Sequence, residues 1–155
     1  MKMPRQVNMA APAMKKLLKS DEDQLFEQLG MRMKTMTLNP SSAGTFDMKV
    51  KYDGATMGLK EDIQELGRKI FKRWNAETHD LVCGKDAADS EDRGKLLEAL
   101  GLGPEAVAAF IAGLLITNFA LAPALAAVIA AIIIKRYFSP AFQEFCSAWT
   151  NGLKA

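Results

Sequence analysis

The hydrophobic positions of this chain follow three different patterns. From residue 59 to residue 83 they recur every three or four positions, which is the period of an amphipathic helix. In residues 45–52 (TFDMKVKY) they alternate strictly with polar positions, which is the period of a half-buried strand. From Ala106 to Ile134 apolar residues follow one another without any charge. This last segment is the most informative feature of the sequence.

The uncharged segment is long enough to span a membrane. About 18 consecutive apolar residues suffice for a transmembrane helix. As one helix the segment would measure about 43 Å against a hydrocarbon core of about 30 Å, so it would have to tilt or kink at Pro123. As a hairpin turning between Asn118 and Pro123, each arm would be about 20–22 Å long. The sequence therefore predicts either one kinked helix in lipid or a helical hairpin packed inside protein.

Small residues recur at a spacing of four positions in two rows within this segment, Ala109 with Gly113 and then Ala122, Ala126 and Ala130. Such rows let helix backbones approach closely, which is how helices associate in lipid. The amide of Asn118 needs a hydrogen-bond partner in apolar surroundings, and a second copy of the chain could supply it. We therefore predict insertion and self-association through these residues and Pro123. Alternatively, the alanines pack a soluble core and Asn118 lies at an exposed turn.

The rest of the chain predicts further helices and one β-hairpin. Ser20 is the expected N-cap of a helix that Gly30 ends, and residues 31–38 and 45–52 are the expected strands on either side of a turn-rich stretch. The long helix up to Gly84 has an apolar stripe consisting of Leu59, Ile63, Leu66, Ile70, Trp74 and Leu81. A helix from Ser90 to Leu100 precedes a break at Gly101, and the last helix has an apolar face of Phe142, Phe145, Cys146, Trp149 and Leu153.

These patterns predict a mainly α fold. We expect a helical bundle with a small β-hairpin near residues 31–52 and a very apolar C-terminal helix or helical hairpin. The expected organisation is a mobile leader at residues 1–12, a helical region with the β-hairpin at 13–103, and the hydrophobic helix or hairpin plus an amphipathic helix at 104–155.

Charge and cysteine content narrow the function classes. The 20 basic and 18 acidic residues give a net charge of +2, which does not favour nucleic-acid binding. Two cysteines do not make a disulfide framework, so reduced thiols and cytoplasmic synthesis are expected. The N-terminus contains no apolar stretch typical of a secretory signal. Membrane association is therefore expected to start from the cytosol.

Basic residues on the long helix form a candidate contact with anionic lipid headgroups. They are Lys60, Arg68, Lys69, Lys72 and Arg73, to which Lys135 and Arg136 add a pair directly after the apolar segment. The alternative is an ordinary solvated helix face whose charge is balanced by Glu61, Glu65 and Glu77.

Enzymatic chemistry finds little support in the sequence. His79 and Cys83 have the i,i+4 spacing of two metal ligands or of an imidazole beside a thiol, but a structural zinc site needs four ligands and only Cys146 is left as a sulfur donor. No phosphate-binding loop or hydrolase motif occurs. We therefore expect no enzyme activity, no metal and no cofactor.

An apolar hairpin covered by amphipathic helices would account for all the apolar faces of the chain. This layout resembles, in arrangement and over the last third of the chain, the pore-forming domains of colicins, where a buried hydrophobic hairpin inserts when its sheath opens. The leading hypothesis is a membrane-active, self-associating protein that permeabilises or forms pores in a lipid bilayer. The alternative is a soluble helical interaction module that binds a protein partner, through strand addition at residues 45–52.

Overall fold

The computed structural model of the chain describes residues 12–84 and 90–154. Its helices are α1 (12–17), α2 (Glu22–Leu38), a 3₁₀ helix (Pro40–Gly44), α3 (Gly54–Met57), α4 (Lys60–Cys83), α5 (Ser90–Leu102), α6 (Pro104–Phe119), α7 (Pro123–Tyr137) and α8 (Phe142–Lys154). The described residues contain no β-strand, so the prediction of a mainly α fold is confirmed. Nearly all of the predicted leader, residues 1–11, lies outside the described residues.

The predicted β-hairpin is wrong, because its first strand is the second half of α2. The N-cap of this helix is Asp21 rather than Ser20. The side chain of Asp21 accepts from the Gln24 backbone N–H, and the side chain of Gln24 accepts from the Asp21 N–H. The helix then continues through Gly30. Residues 45–53 have no helix or strand, so strand addition at 45–52 has no strand edge to use.

Gly30 lies inside a helix because two helix backbones touch there. A Cβ atom on Gly30 would lie 2.2 Å from the Ile63 carbonyl oxygen, and one on Gly67 would lie 1.9 Å from the Phe26 carbonyl oxygen. Both distances are far below van der Waals contact, so only glycine fits at either position. The two glycines thus set the close crossing of α2 and α4.

The buried face of α4 is rotated from the predicted stripe. Ile63 is buried as expected, but Leu59 is 64% exposed and Leu66 is only half-buried. Ile70, Trp74 and Leu81 are half-buried at the edge of the core. The face that packs inward consists of Ile63, Gly67, Phe71, Asn75, Thr78 and Val82. This face includes a glycine and two polar residues, and the spacing of apolar positions cannot identify such residues as buried.

The apolar segment folds as a helical hairpin rather than as one kinked helix. Its arms α6 and α7 measure about 24 and 22 Å and are joined by residues 120–122. The helix α5 continues through Gly101, so the break falls at Gly103 instead, and Pro104 takes the first position of α6. Helix α7 is at the centre, with α2, α4, α6, α8 and the 3₁₀ helix around it, while α5 packs on α6.

A disulfide bond joins Cys83 at the end of α4 to Cys146 in α8, so the expectation of reduced thiols is wrong. The two Cα atoms are 5.7 Å apart, which is within the usual range for a disulfide. The fold brings the cysteines together across 63 positions of sequence, and their spacing in the chain gives no sign of it.

The hairpin turn contains one strained residue, which gives a first prediction. Ala120 adopts the left-handed conformation with a φ of 51°, which disfavours any side chain with a Cβ atom. Because Ala120 is exposed, Ala120→Gly loses no packing and should raise the free energy of unfolding by roughly 0.5–1 kcal/mol, as measured by urea denaturation. The matched control Ala148→Gly, at an exposed position inside α8, should lower it by about 1 kcal/mol. Equal losses in the two variants would contradict the prediction.

Candidate functional site

The apolar hairpin forms the interior of the molecule. Residues 107–115 of α6 and 124–134 of α7 are all buried. Of the predicted small-residue rows, Ala109, Ala126 and Ala130 are fully inaccessible and Gly113 is buried with them. In this conformation the rows pack against other helices of the same chain. A second copy could reach them only after the surrounding helices move.

The turn of the hairpin lies at the protein surface. Thr117 and Asn118 are exposed, and Ala122 and Pro123 are half-buried. The Asn118 side-chain Nδ2 donates to the Leu114 carbonyl oxygen of its own helix at 2.9 Å, so its amide is satisfied without a partner chain. Pro123 starts α7 rather than kinking a helix. The turn thus has two polar side chains, Thr117 and Asn118, and no charge.

The length of the individual helices bears on whether one of them could cross a membrane. Among the described residues no single helix is both long and apolar enough to cross a membrane. Helices α7 and α8 meet the length and composition criteria only together, as a pair bent by 101°, and α6 is a shorter apolar helix.

Polar side chains link the outer helices to the hairpin and to each other. Arg32 of α2 is 2% exposed, and its Nη1 donates to the carbonyl oxygens of Ala124 and Phe46, each at 2.9 Å. Burial lowers the pKa of Arg32 to about 10, although the charge of Asp47 opposes the shift, so the side chain stays charged at neutral pH. Arg32 is the buried charge in direct contact with the first turn of α7.

Helix α8 closes over the other end of α7. Trp149 is fully buried, stacks with the Tyr137 ring at 6.0 Å and donates from Nε1 to the Asn75 Oδ1 at 2.7 Å. Phe145 packs edge-on against Trp149. Together with the disulfide, these contacts fix α8 to both α4 and α7. The predicted apolar face of α8 is therefore the one that faces the core.

The predicted headgroup-binding residues do not form one surface. Lys60 is 3.6 Å from Glu27, Lys135 donates to the Leu18 carbonyl oxygen at 3.2 Å, and Arg73 covers the Trp74 ring. The exposed Lys69 lies on the outer side of α4. The structure gathers only the three remaining cations, Arg68, Lys72 and Arg136, around one cleft at the base of the hairpin, the end opposite its turn. Sequence spacing places Arg68 and Lys72 together, but only the fold adds Arg136.

The residues considered for enzymatic chemistry have structural partners. The His79 Nε2 lies 2.8 Å from the Thr150 Oγ1, and its Nδ1 lies 3.6 Å from Asp80. Cys83 is bonded to Cys146, so it is neither a nucleophile nor a metal ligand in this state. Within the described ranges, no three His, Cys, Asp or Glu side chains are close enough together to hold a metal ion.

Comparison with protein-family models, with curated proteins and with solved structures gives no match to this chain.

Proposed function

We propose that this chain is a membrane-active helical protein that inserts its α6–α7 hairpin into a lipid bilayer, associates there with further copies and permeabilises the bilayer. The observation that carries the proposal is the hairpin itself. Residues 106–134 contain no ionisable side chain, and apart from the exposed turn they are enclosed within the helical fold of the chain. A helix that is apolar on all sides is stable either within protein or within lipid.

The exchange of protein for lipid around the hairpin is physically reasonable. Helices α2, α4 and α8 have apolar side chains on their inward faces. Once the hairpin has inserted, these faces could bind the membrane interface, as amphipathic helices do. The arms, at about 22–24 Å, are shorter than the hydrocarbon core of about 30 Å, so the bilayer would thin around them. Lys135 and Arg136, at the base of the hairpin, would then lie at the headgroups.

The direct test is sedimentation of the detergent-free protein with liposomes that contain anionic lipid. Retention in the pellet after high-salt and carbonate washes, together with release of an encapsulated dye, is the expected result. A monodisperse protein that stays in the supernatant and releases no dye would refute the proposal. Cross-linking of the pelleted protein would then report whether copies associate in the bilayer.

A charge at the hairpin turn should block insertion while leaving the fold intact. Thr117→Asp changes an exposed side chain, so we expect a loss of stability no greater than about 1 kcal/mol. Insertion has to carry the turn across the hydrocarbon core, where an aspartate costs about 2.5–3.5 kcal/mol at the centre, so carbonate-resistant retention should fall at least tenfold. The matched control Ser147→Asp adds the same charge on the exposed side of α8 and should keep retention near the original level. Equal retention of the two variants would argue against insertion by the turn.

One observation favours a second candidate, a protein-interaction module. The side chains of Met33 and Leu38 are 38% and 71% exposed, and together with Lys34, Thr37 and Leu66 they line a shallow groove between α2 and α4. Exposed apolar patches mark interaction surfaces. If this candidate holds, Leu38→Ser should abolish binding of the partner and leave liposome retention, if any, unchanged.

A further inference from the structure

The cleft at the base of the hairpin combines positive charge with aromatic surface. It is bounded by α2, α4, α7 and α8 and encloses about 460 Å³, which falls in the size range of small-molecule sites. Arg68, Lys72 and Arg136 contribute its cations, and Phe26, Phe71 and Leu153 contribute its apolar wall. None of the described residues that line it is acidic. The lining of the cleft therefore suits a ligand that has both an anionic and an apolar part.

The two arginines are held in place before any ligand arrives. The guanidinium carbon of Arg136 lies 5.3 Å from the ring centre of Phe26 and 5.1 Å from that of Phe71, and Arg68 lies 5.4 Å from the Phe26 ring. The two rings in turn meet edge to face at 5.7 Å. Cation–π contacts of this kind fix the guanidinium groups and lower the entropy that a ligand would lose by ordering them.

Among the described residues, one of the three cations of the cleft has no carboxylate partner. Arg136 pairs with Glu22, and Arg68 lies 3.2 Å from Asp23, so both arginines have carboxylate partners in the first turn of α2. Burial lowers the pKa of Arg136, but Glu22 and Tyr137 together raise the pKa above its ordinary value. Within the described part of the chain, no carboxylate forms an ion pair with Lys72. The one positive charge that is unpaired in the described part of the chain matches a ligand with one negative charge.

We infer that this cleft binds the phosphodiester headgroup of a single anionic phospholipid, with the phosphate at Lys72 and between the arginines and the start of the acyl chains on Phe26, Phe71 and Leu153. A phosphodiester carries one negative charge, which equals the uncompensated charge of the cleft. Arginine is well suited to phosphate because its planar fork donates two parallel hydrogen bonds. A free phosphate ion would fill the charged part only and leave the aromatic wall uncovered.

This inference rests on the proposed function for the source of the ligand, because a membrane supplies phospholipids. The site also has a consequence for the hairpin. Arg136 is the second residue after the apolar segment, so a headgroup bound beside it would hold the base of the hairpin at the bilayer surface. The headgroup would also compete with Glu22 for Arg136, and thereby loosen one link between α2 and α7.

Calorimetric titration of the full-length protein with dihexanoyl phosphatidylglycerol, kept below its critical micelle concentration, tests the site without any bilayer. We expect saturable binding of one lipid per chain. Lys72→Ala should weaken it at least tenfold, because it removes the free charge at an exposed position where the fold does not need it. The matched control Lys69→Ala removes an equal charge one turn away, outside the cleft, and should change the affinity by less than about twofold.

Two further ligands test whether binding needs the acyl chains and whether it needs the net negative charge. Inorganic phosphate and zwitterionic dihexanoyl phosphatidylcholine should each bind at least tenfold more weakly than phosphatidylglycerol. Equal binding of inorganic phosphate would overturn the lipid assignment in favour of a free anion. Absence of saturable binding, or equal losses in Lys72→Ala and Lys69→Ala, would overturn the site itself. Lipid binding without liposome insertion would instead refute the proposed function and leave the site standing.

Discussion

Gly67→Ala is expected to lower the free energy of unfolding by about 3 kcal/mol or more. The new methyl group would lie 1.9 Å from the Phe26 carbonyl oxygen, and this neighbour is a backbone atom that cannot rotate away. The helices α2 and α4 would have to separate, which would also disturb the Phe26–Phe71 contact beside the cleft. Urea denaturation followed by circular dichroism measures the loss, and Gly30→Ala should behave alike, since its Cβ would lie 2.2 Å from the Ile63 carbonyl oxygen.

Gly94→Ala is the matched control, because Gly94 lies inside α5 with no atom close to the position of an added Cβ. There the better helix propensity of alanine acts alone and should raise stability by roughly 0.5–1 kcal/mol. Opposite signs for Gly67→Ala and Gly94→Ala would attribute the loss to the helix crossing. If Gly67→Ala were also stabilising, the close approach of α2 and α4 would be wrong.

The same crossing explains why the sequence predicted a β-hairpin. Glycine after Leu29 looks like a helix end when only local signals are available, and the residues that follow it alternate weakly between apolar and polar. The helix continues through Gly30 because tertiary packing against α4 requires a residue without a side chain there. A local pattern cannot show this, since the partner backbone lies more than 30 positions away in the sequence.

The buried face of α4 shows a second limit of what hydrophobic spacing can predict. Apolar spacing predicted the helix and Ile63 as an inward residue, but it misplaced the centre of the buried face by about one position. Asn75 and Thr78 are buried because their polar groups are satisfied, by Trp149 Nε1 and by the Trp74 carbonyl oxygen respectively. Such pairs become visible only when α8 is in place.

The apolar segment itself was predictable, because its signal is long and uniform. The absence of charge between Glu105 and Lys135 required burial, and Pro123 together with Asn118 marked the turn. What the sequence left open was whether the surroundings are lipid or protein. In the structure the surroundings are the chain's own helices, and the proposed function is that lipid replaces them. The cleft was predictable only in part, since Arg136 joins Arg68 and Lys72 through the fold.

Reduction of the disulfide is expected to have the other large effect. The bond between Cys83 and Cys146 closes a loop that contains α5 and the whole hairpin, with a sequence separation of 63 residues. The chain-entropy estimate for a loop of this length is about 4 kcal/mol. Unfolding of the reduced protein should therefore occur about 10 °C lower than that of the oxidised protein, as measured by calorimetry. The same loss is expected for Cys83→Ser combined with Cys146→Ser.

The disulfide should also control the hairpin if the proposed function holds. The bond joins α8 to the end of α4, and α8 covers α7 with Phe145 and Trp149. Removing the bond therefore frees one of the helices that enclose the hairpin. We expect faster dye release from anionic liposomes by the reduced protein, and by the double serine variant without reductant. Reductant should not change the rate for that variant, which controls for effects on the liposomes. Equal stability of the oxidised and reduced proteins would contradict the bond's structural role. A stability loss without faster release would show that α8 does not hold the hairpin in place.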